Sequence, residues 1–494
     1  MKFISKSKLK KKLFSFVALF AVSLSIFSSQ MIELSAKSTY ETEYENYIYN
    51  SEGELKPAPR AYELSRSIKA ADLGVENLRN LTAVFVKNDN VYVAIENAVL
   101  ILDKQFNLIR RIDKFTLEGD EQTLSRPSDI HVDNNGNVYI AEPERSRILL
   151  FGSDGKLIRA MGKPEAVGLE DVDYKPTKLT VDKIGRIFVV SSNVYEGIME
   201  LGPNGDFTRF YGVNRIVYNP LDLFWRSIAT DAQLSTMQLW LPTSFSNVSV
   251  NDEGFVFATV ASQTESEPVK LLNSKGEDIL RYPQEQRPQG DVIARGANRS
   301  SFIALDNNEY GMYTVLDSTK QRVFTYNHDG YLLHIFGGKG NVSGKFQNAV
   351  DVKFMGENII VLDQLNQSIE VFQPTTYGNL LNQAVKADAL ENSEDSEHYW
   401  QEIAKINPLY DLAYVSMGDV AYREGEYDNA LKLYKNANFH KGYSDAFNKV
   451  REQWVEDNIS WILAAIFLIF VYLTWVLIVE PQMKKNKERR ETRS

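Results

Sequence analysis

One phrase, an apolar run, a turn and a second apolar run, recurs six times between about Val91 and Phe372 and constrains this chain more than any single residue. Its best-preserved copy reads Ile130-His-Val-Asp-Asn-Asn-Gly-Asn-Val-Tyr-Ile-Ala-Glu142, then Arg147-Ile-Leu-Leu-Phe-Gly-Ser-Asp-Gly-Lys-Leu-Ile-Arg159. Apolar runs broken by Gly-bearing turns are the pattern of a four-stranded antiparallel sheet. The second half restarts at Val99, Ile148, Ile198, Val269, Val323 and Ile369, in steps of 49, 50, 71, 54 and 46 residues. The turns Ser153-Asp-Gly155, Pro203-Asn-Gly205, Ser274-Lys-Gly276 and His328-Asp-Gly330 fit hairpins, because glycine accepts the positive φ they require.

This period is that of propeller blades, and one blade cannot bury both of its faces unless others flank it. The segment Arg126-Pro-Ser-Asp-Ile-His-Val-Asp followed by Gly136-Asn-Val-Tyr-Ile-Ala-Glu142 resembles the NHL repeat, and the resemblance covers most of residues 80–373. It implies a mainly β, six-bladed NHL-type propeller, placed at 40–376. Two departures stand: Asn88-Asp-Asn90 has no Gly turn, and the 71-residue step holds an insertion. After Val371 to Thr376 the pattern turns helical, so the sixth sheet lacks an outer strand and an upstream segment must supply it. Tyr47-Ile-Tyr-Asn-Ser-Glu-Gly-Glu-Leu55 repeats the strand, turn, strand pattern and is the expected clasp.

Residues 377–457 read as a small α-helical domain. Asp411 to Ala437 resembles a tetratricopeptide repeat, with Met417, Gly418 and Ala421 facing Ala430, Tyr434 and Ala437 across a turn at Gly425-Glu-Tyr427. Tyr377 to Tyr410 is a degenerate earlier copy, with Leu380, Ala384 and Ala387 on its first helix and Trp400 on its second. Phe447, Val450 and Trp454 at helical spacing are the expected cap. Such a pair serves either as a peptide-binding face or as a rigid stalk.

Lys2, Lys6, Lys8, Lys10, Lys11 and Lys12 precede an apolar stretch, so 1–30 reads as a signal sequence or an N-terminal anchor. Residues 459–479 carry no charge and suffice for a transmembrane helix of 21 residues, followed by a basic tail at 480–494. Basic flanks stay in the cytoplasm, which places the propeller and helical domain outside a cell membrane held by a single C-terminal span, or by two if the first segment is uncleaved. The termini (1–30 and 481–494) hold 12 of 55 basic and 2 of 65 acidic residues, leaving 43 against 63 and a charge of −20 for the remainder. Nucleic acid is therefore not an expected partner. The absence of cysteine excludes disulfides, thiol nucleophiles and Cys-based metal sites, and fits a Gram-positive-type bacterial surface.

Catalytic signals are thin: the five histidines are scattered, and no zinc-helix pair, nucleophile elbow or phosphate loop occurs. Glu142, Asp317 and Asp363 share one column of the repeat. In NHL repeats an acidic residue there caps the adjoining turn; in lactonases of the gluconolactonase and regucalcin type, acidic side chains of the channel hold a divalent metal. The insertion Leu221 to Trp240 reads as a helical hairpin whose Trp225, Arg226 and Trp240 either cover a propeller end or form a recognition patch. No cofactor is expected, a divalent metal entering only under the lactonase reading. The expected function is a membrane-anchored extracellular binding or scaffold module, touching lipid through its C-terminal helix and a protein or cell-surface carbohydrate through its propeller. The layout resembles bacterial NHL propellers found beside sugar ABC transporters, which implies accessory work in sugar uptake. The alternative is a surface-anchored, metal-dependent lactonase or esterase.

Overall fold

The computed structural model describes residues 44–484 except 166–168, 171, 213, 215–229, 231–242, 263–266, 284–285 and 292–298. Within them six antiparallel sheets follow one another as the blades of a propeller. Their innermost strands, blades 1 to 6 in order, are Ala83–Lys87, Asp129–Val132, Lys175–Val181, Phe245–Val250, Phe302–Asn307 and Ala349–Met355. Each touches the next, and the last touches the first, so the ring is closed. Five sheets have four strands; among the described residues blade 4 has three, its fourth reduced to a bridge between Leu272 and Asp278.

The sequence pattern follows from the stacking. A blade's second strand lies between two neighbours, so both its faces must be dry; Val138–Glu142 and Tyr313–Asp317 are buried at every position. Outer strands such as Leu157–Met161 face water on one side, leaving Ile158 57% exposed, whereas that of blade 5, Leu332–Gly337, is buried at all but its last position. The core is a series of apolar layers between blades, such as Ile130, Val132 and Ile140 against Ala83, Tyr92 and Ile101. Where blade 1 lacks glycine, Asn88 and Asp89 themselves take left-handed φ of 49° and 61°, as the two central residues of a tight hairpin require.

The clasp differs from expectation. The outer strand of blade 6 is Tyr62–Ile68, paired antiparallel with Ser368–Pro374 from Ile68 opposite Ile369 to Tyr62 opposite Pro374. Tyr47–Tyr49 instead pairs with Leu55–Pro57 in a separate hairpin, and its Tyr47 is buried among Phe302, Phe324 and Tyr326 of blade 5. The true clasp reads as polar because one face is exposed, whereas the hairpin's Gly-bearing turn imitates a blade.

Beside the clasp, His334 on the outer strand of blade 5 lies 4.6 Å from the Tyr62 ring, buried with no hydrogen bond to either nitrogen. Burial lowers its pKa to about 3. The unfolded chain therefore binds a proton near pH 6.5 that the folded chain refuses, and stability declines as pH falls from there towards 3. His334→Phe is expected to remove up to about 1.4 kcal/mol of that decline per pH unit, read from urea unfolding at several pH values between 7.5 and 5; an unchanged slope would contradict it.

The described residues divide into two compact units, one comprising 44–49 and Gly53–Ala389, the other Asn50–Glu52 with 390–484. Helix α1 (Thr376–Ala389) belongs with the propeller, where Asn382 Nδ2 donates to Tyr62 Oη at 2.9 Å. The two helices expected to form an earlier repeat copy thus lie in different units. The second unit contains α2 (Ser393–Ile406), α3 (Asp411–Arg423), α4 (Tyr427–Asn436) and α5 (His440–Thr474). Its Ser51 N donates to Asp411 Oδ2 at 2.7 Å. Gly418 of α3 lies against the Tyr434 ring of α4, where any Cβ would come within 2.7 Å of a ring carbon. Trp400, Ala421, Ala430 and Tyr434 are buried.

The expected cap is corrected: Phe447 and Trp454 are 49% and 59% exposed, while Gly442 and Ala446 are the residues of α5 that are buried. Small residues allow the close approach that aromatics would block, since a Cβ on Gly442 would meet the Phe439 and Tyr434 rings. Helix α5 then continues without a break through a π-helical turn at Trp475–Val479. This C-terminal helix is long and apolar enough to cross a membrane, and its apolar window is not buried against other residues.

Candidate functional site

The column of acidic residues is fully occupied by local bonds. Glu142 accepts from Ser125 N at 2.6 Å and pairs with Arg147 and Arg145. Asp317 accepts from Ser301 N at 2.8 Å, Thr319 N at 2.9 Å and Ser300 Oγ at 3.0 Å; burial pushes its carboxyl up, against these bonds. Asp363 accepts from Gln347 N at 2.8 Å, Asn348 N at 3.1 Å and Asn366 Nδ2 at 2.7 Å. All three side chains are buried, and each ties the entry of its own blade to the turn after the second strand. Among the described residues no group of three or more His, Asp or Glu is placed to hold a metal ion. Trp225, Arg226 and Trp240 lie outside the described residues.

The polar chemistry gathers instead on the propeller axis. The inner strands present two successive rings, Ala83, Asp129, Lys178, Asn247, Ala304 and Asp351, then Phe85, His131, Thr180, Ser249, Asp306 and Lys353. These side chains hold each blade to the next. Asp129 accepts from Leu179 N at 2.8 Å, Thr180 Oγ1 from Val250 N at 3.2 Å, and Ser249 Oγ from Asn307 Nδ2 at 2.9 Å. Asp306 accepts from Phe354 N at 2.9 Å and Asp351 from Val84 N at 2.8 Å, and the ring is completed by Phe85, whose ring lies 4.8 Å from that of His131 and is tilted 56° to it.

The axis is also charged. Lys353 Nζ donates to Leu305 O at 3.0 Å and lies 3.6 Å from Asp306; Lys178 lies 3.4 Å from Asp129. Burial pushes the carboxyls of Asp129 and Asp306 up. For Lys353 burial acts downward, but Asp306, Asp351 and Asp129 outweigh it and its pKa is raised. His131 is lowered to about 3 by burial and by Lys87 and Lys353. Thr180 Oγ1 and His131 Nδ1 lie 3.4 Å apart, both side chains buried.

At one end the second ring opens into a cavity of about 240 Å³. Its rim is formed by the turns that follow the inner strands, with Asp133, Asp182, Asn251 and Asn308 each accepting backbone N–H bonds within its own turn. Its lining carries three lysines against four aspartates and one glutamate. The sequence held a partial signal for this site: in blades 2, 3, 4 and 6 two alternate inner-strand positions are polar, as at Asp129 and His131, Asn247 and Ser249, or Asp351 and Lys353, whereas blade 1 has Ala83 and Phe85 and blade 5 has Ala304 there.

No protein-family model matches the chain, and no curated protein sequence matches it. Solved structures resemble it at low similarity. A virginiamycin B lyase from Staphylococcus aureus aligns at 10% identity and a TM-score of 0.38, over 63% of this chain and 99% of its own. A structural genomics protein of unknown function from Bacteroides thetaiotaomicron gives 10% and 0.42, over 67% and 76%; the WD40 β-propeller domain of Doa1 gives 10% and 0.38, over 64% and 98%. Likeness at this level carries no argument about activity, and the fold assignment rests on the order and closure of the six sheets.

Proposed function

We propose that this chain is a membrane-anchored, extracytoplasmic binding or scaffold module, with NHL-type blades, tetratricopeptide-like helices and a C-terminal span. The observation that carries the reading is the engagement of the acidic and axial side chains in holding blades together, beside an open polar cavity. Catalysis requires a group left available to move a proton or attack a carbonyl; Glu142, Asp317 and Asp363 are held by backbone and arginine instead. The lactonase alternative has no observation specific to it. Protein or cell-surface carbohydrate is the partner class, and the resemblance of the layout to propellers beside sugar transporters supports a setting in sugar uptake. The charge of −20 between the basic termini agrees with an outward-facing domain and argues against polyanionic partners. Protease added to intact protoplasts is expected to degrade residues 40–457 and spare the C-terminal tail; protection of the propeller would overturn the topology. Purification from membranes in mild detergent is expected to retain a partner.

A further inference from the structure

The axial cavity is a ligand site whose occupant we propose to be a single neutral sugar ring, a proposal that rests on the binding-module reading above. Size comes first: about 240 Å³ falls below the ~300–1,000 Å³ of drug-sized sites, which suits one small unit and excludes a folded peptide segment. Chemistry comes second. Apolar ligands would leave a polar lining without partners at a large cost.

Charged ligands fare no better, because most of the charges are already compensated. Lys353 faces Asp306, Lys183 pairs with Asp252 at 3.0 Å, and Asp182 pairs with Arg186 at 2.7 Å. Phosphate would need several free cations, yet Lys87 is the one lining lysine without a described ion pair, and Glu309 and Asp133 share the rim with it. An organic amine would meet Lys87 and the buried Lys353 as well as Glu309 and Asp133, the latter engaged within its own turn.

What remains at the mouth are alternating neutral donors and acceptors. Asn134 makes no described side-chain bond, and the amide nitrogens of Asn251 and Asn308 make none although their oxygens are engaged. Thr180 Oγ1, which accepts from Val250 N, lies 3.4 Å from His131 Nδ1. Sugar hydroxyls both donate and accept, and match such a set. Phe85 and Phe354 line the same cavity and supply an apolar surface for the C–H face of a sugar ring.

The test uses the full chain in sugar-free polyoxyethylene detergent and saturation-transfer NMR. Its neutral probes are methyl glucoside, galactose, mannose and N-acetylglucosamine; its charged probes are inorganic phosphate and ethanolamine. At least one neutral probe is expected to receive saturation and both charged probes none. Its half-saturation concentration should rise about tenfold on Asn134→Ala, corresponding to loss of a good hydrogen bond, with unchanged melting because that side chain makes no described bond. Silence from every neutral probe, a response unaltered in the Asn134→Ala protein, or binding of a charged probe instead would overturn the sugar assignment. Any of these, found with a propeller still accessible to protease, leaves the binding-module reading standing; a protected propeller overturns that reading by itself.

Discussion

Deleting residues 62–68 is expected to abolish cooperative unfolding of the propeller, or to lower its melting temperature by far more than deleting the hairpin residues 44–49. The strand is the fourth of blade 6, paired with Ser368–Pro374 over its whole length. Without it blade 6 exposes a free edge whose N–H and C=O groups lose their partners, and the chain no longer joins its two ends across the ring. The packing loss adds to this. Ile68 is fully buried with Leu362, Ile369 and Val371, and Tyr62 is buried against His334 and Phe336. Removing two such side chains costs about 2–5 kcal/mol each, which together approaches the roughly 5–15 kcal/mol stability of a whole domain. A point variant makes the same test more gently: Arg66→Pro keeps both apolar anchors but removes a strand N–H and restricts φ. Melting followed by near-ultraviolet circular dichroism reads both variants. A deletion protein that melts like the parent would show that the ring is closed by something other than this strand.

The parts of this architecture that could be read from sequence are those where both faces of a strand must be dry. Val138–Glu142, Ile187–Ser192 and Asn358–Asp363 are almost wholly buried, so they appear as apolar runs, and the Asx and Gly turns between them mark the period. The clasp escaped because an outer strand is wet on one side: Glu63, Ser65, Arg66 and Ser67 are not buried, and Tyr62-Glu-Leu-Ser-Arg-Ser-Ile68 gives little apolar signal. The helical cap escaped for the opposite reason. Phe447 and Trp454 have the size expected of a core residue, yet Gly442 and Ala446 make the contact because the helices approach closely. The axial site was the hardest to see, since its six positions share a place in the repeat but no chemical type. Phenylalanine, histidine, threonine, serine, aspartate and lysine at Phe85, His131, Thr180, Ser249, Asp306 and Lys353 read as scatter until the ring brings them together. The acidic column had the reverse character, alike in type and separated in space, each member bound within its own blade.

Lys353→Met is expected to destabilise the propeller by about 3–5 kcal/mol at neutral pH, the range seen when one partner of a buried ion pair is removed. Methionine nearly conserves the volume, so the loss is electrostatic more than steric. Asp129, Asp306 and Asp351 all act on the Lys353 ammonium, and Lys178 is the other cation on the axis. With Lys353 gone, three buried carboxylates face one ammonium. Burial already holds the carboxyls of Asp129 and Asp306 above their ordinary range, and losing the cation moves them further up. A carboxyl whose pKa is higher folded than unfolded favours the folded state below its unfolded value, and that contribution is lost as pH rises through the folded one. The deficit of the variant relative to the parent should therefore be largest near pH 7.5 and shrink towards pH 5. His131, whose protonation Lys353 also opposes, acts in the same direction once the lysine is removed. Urea unfolding of parent and variant at both pH values measures the difference, in which the common contribution of His334 cancels. Adding Asp306→Asn to Lys353→Met removes one uncompensated charge while the amide oxygen can still accept from Phe354 N, and should recover part of the loss. A Lys353→Met protein as stable as the parent at pH 7.5 would mean that the axial charges are not coupled through this lysine.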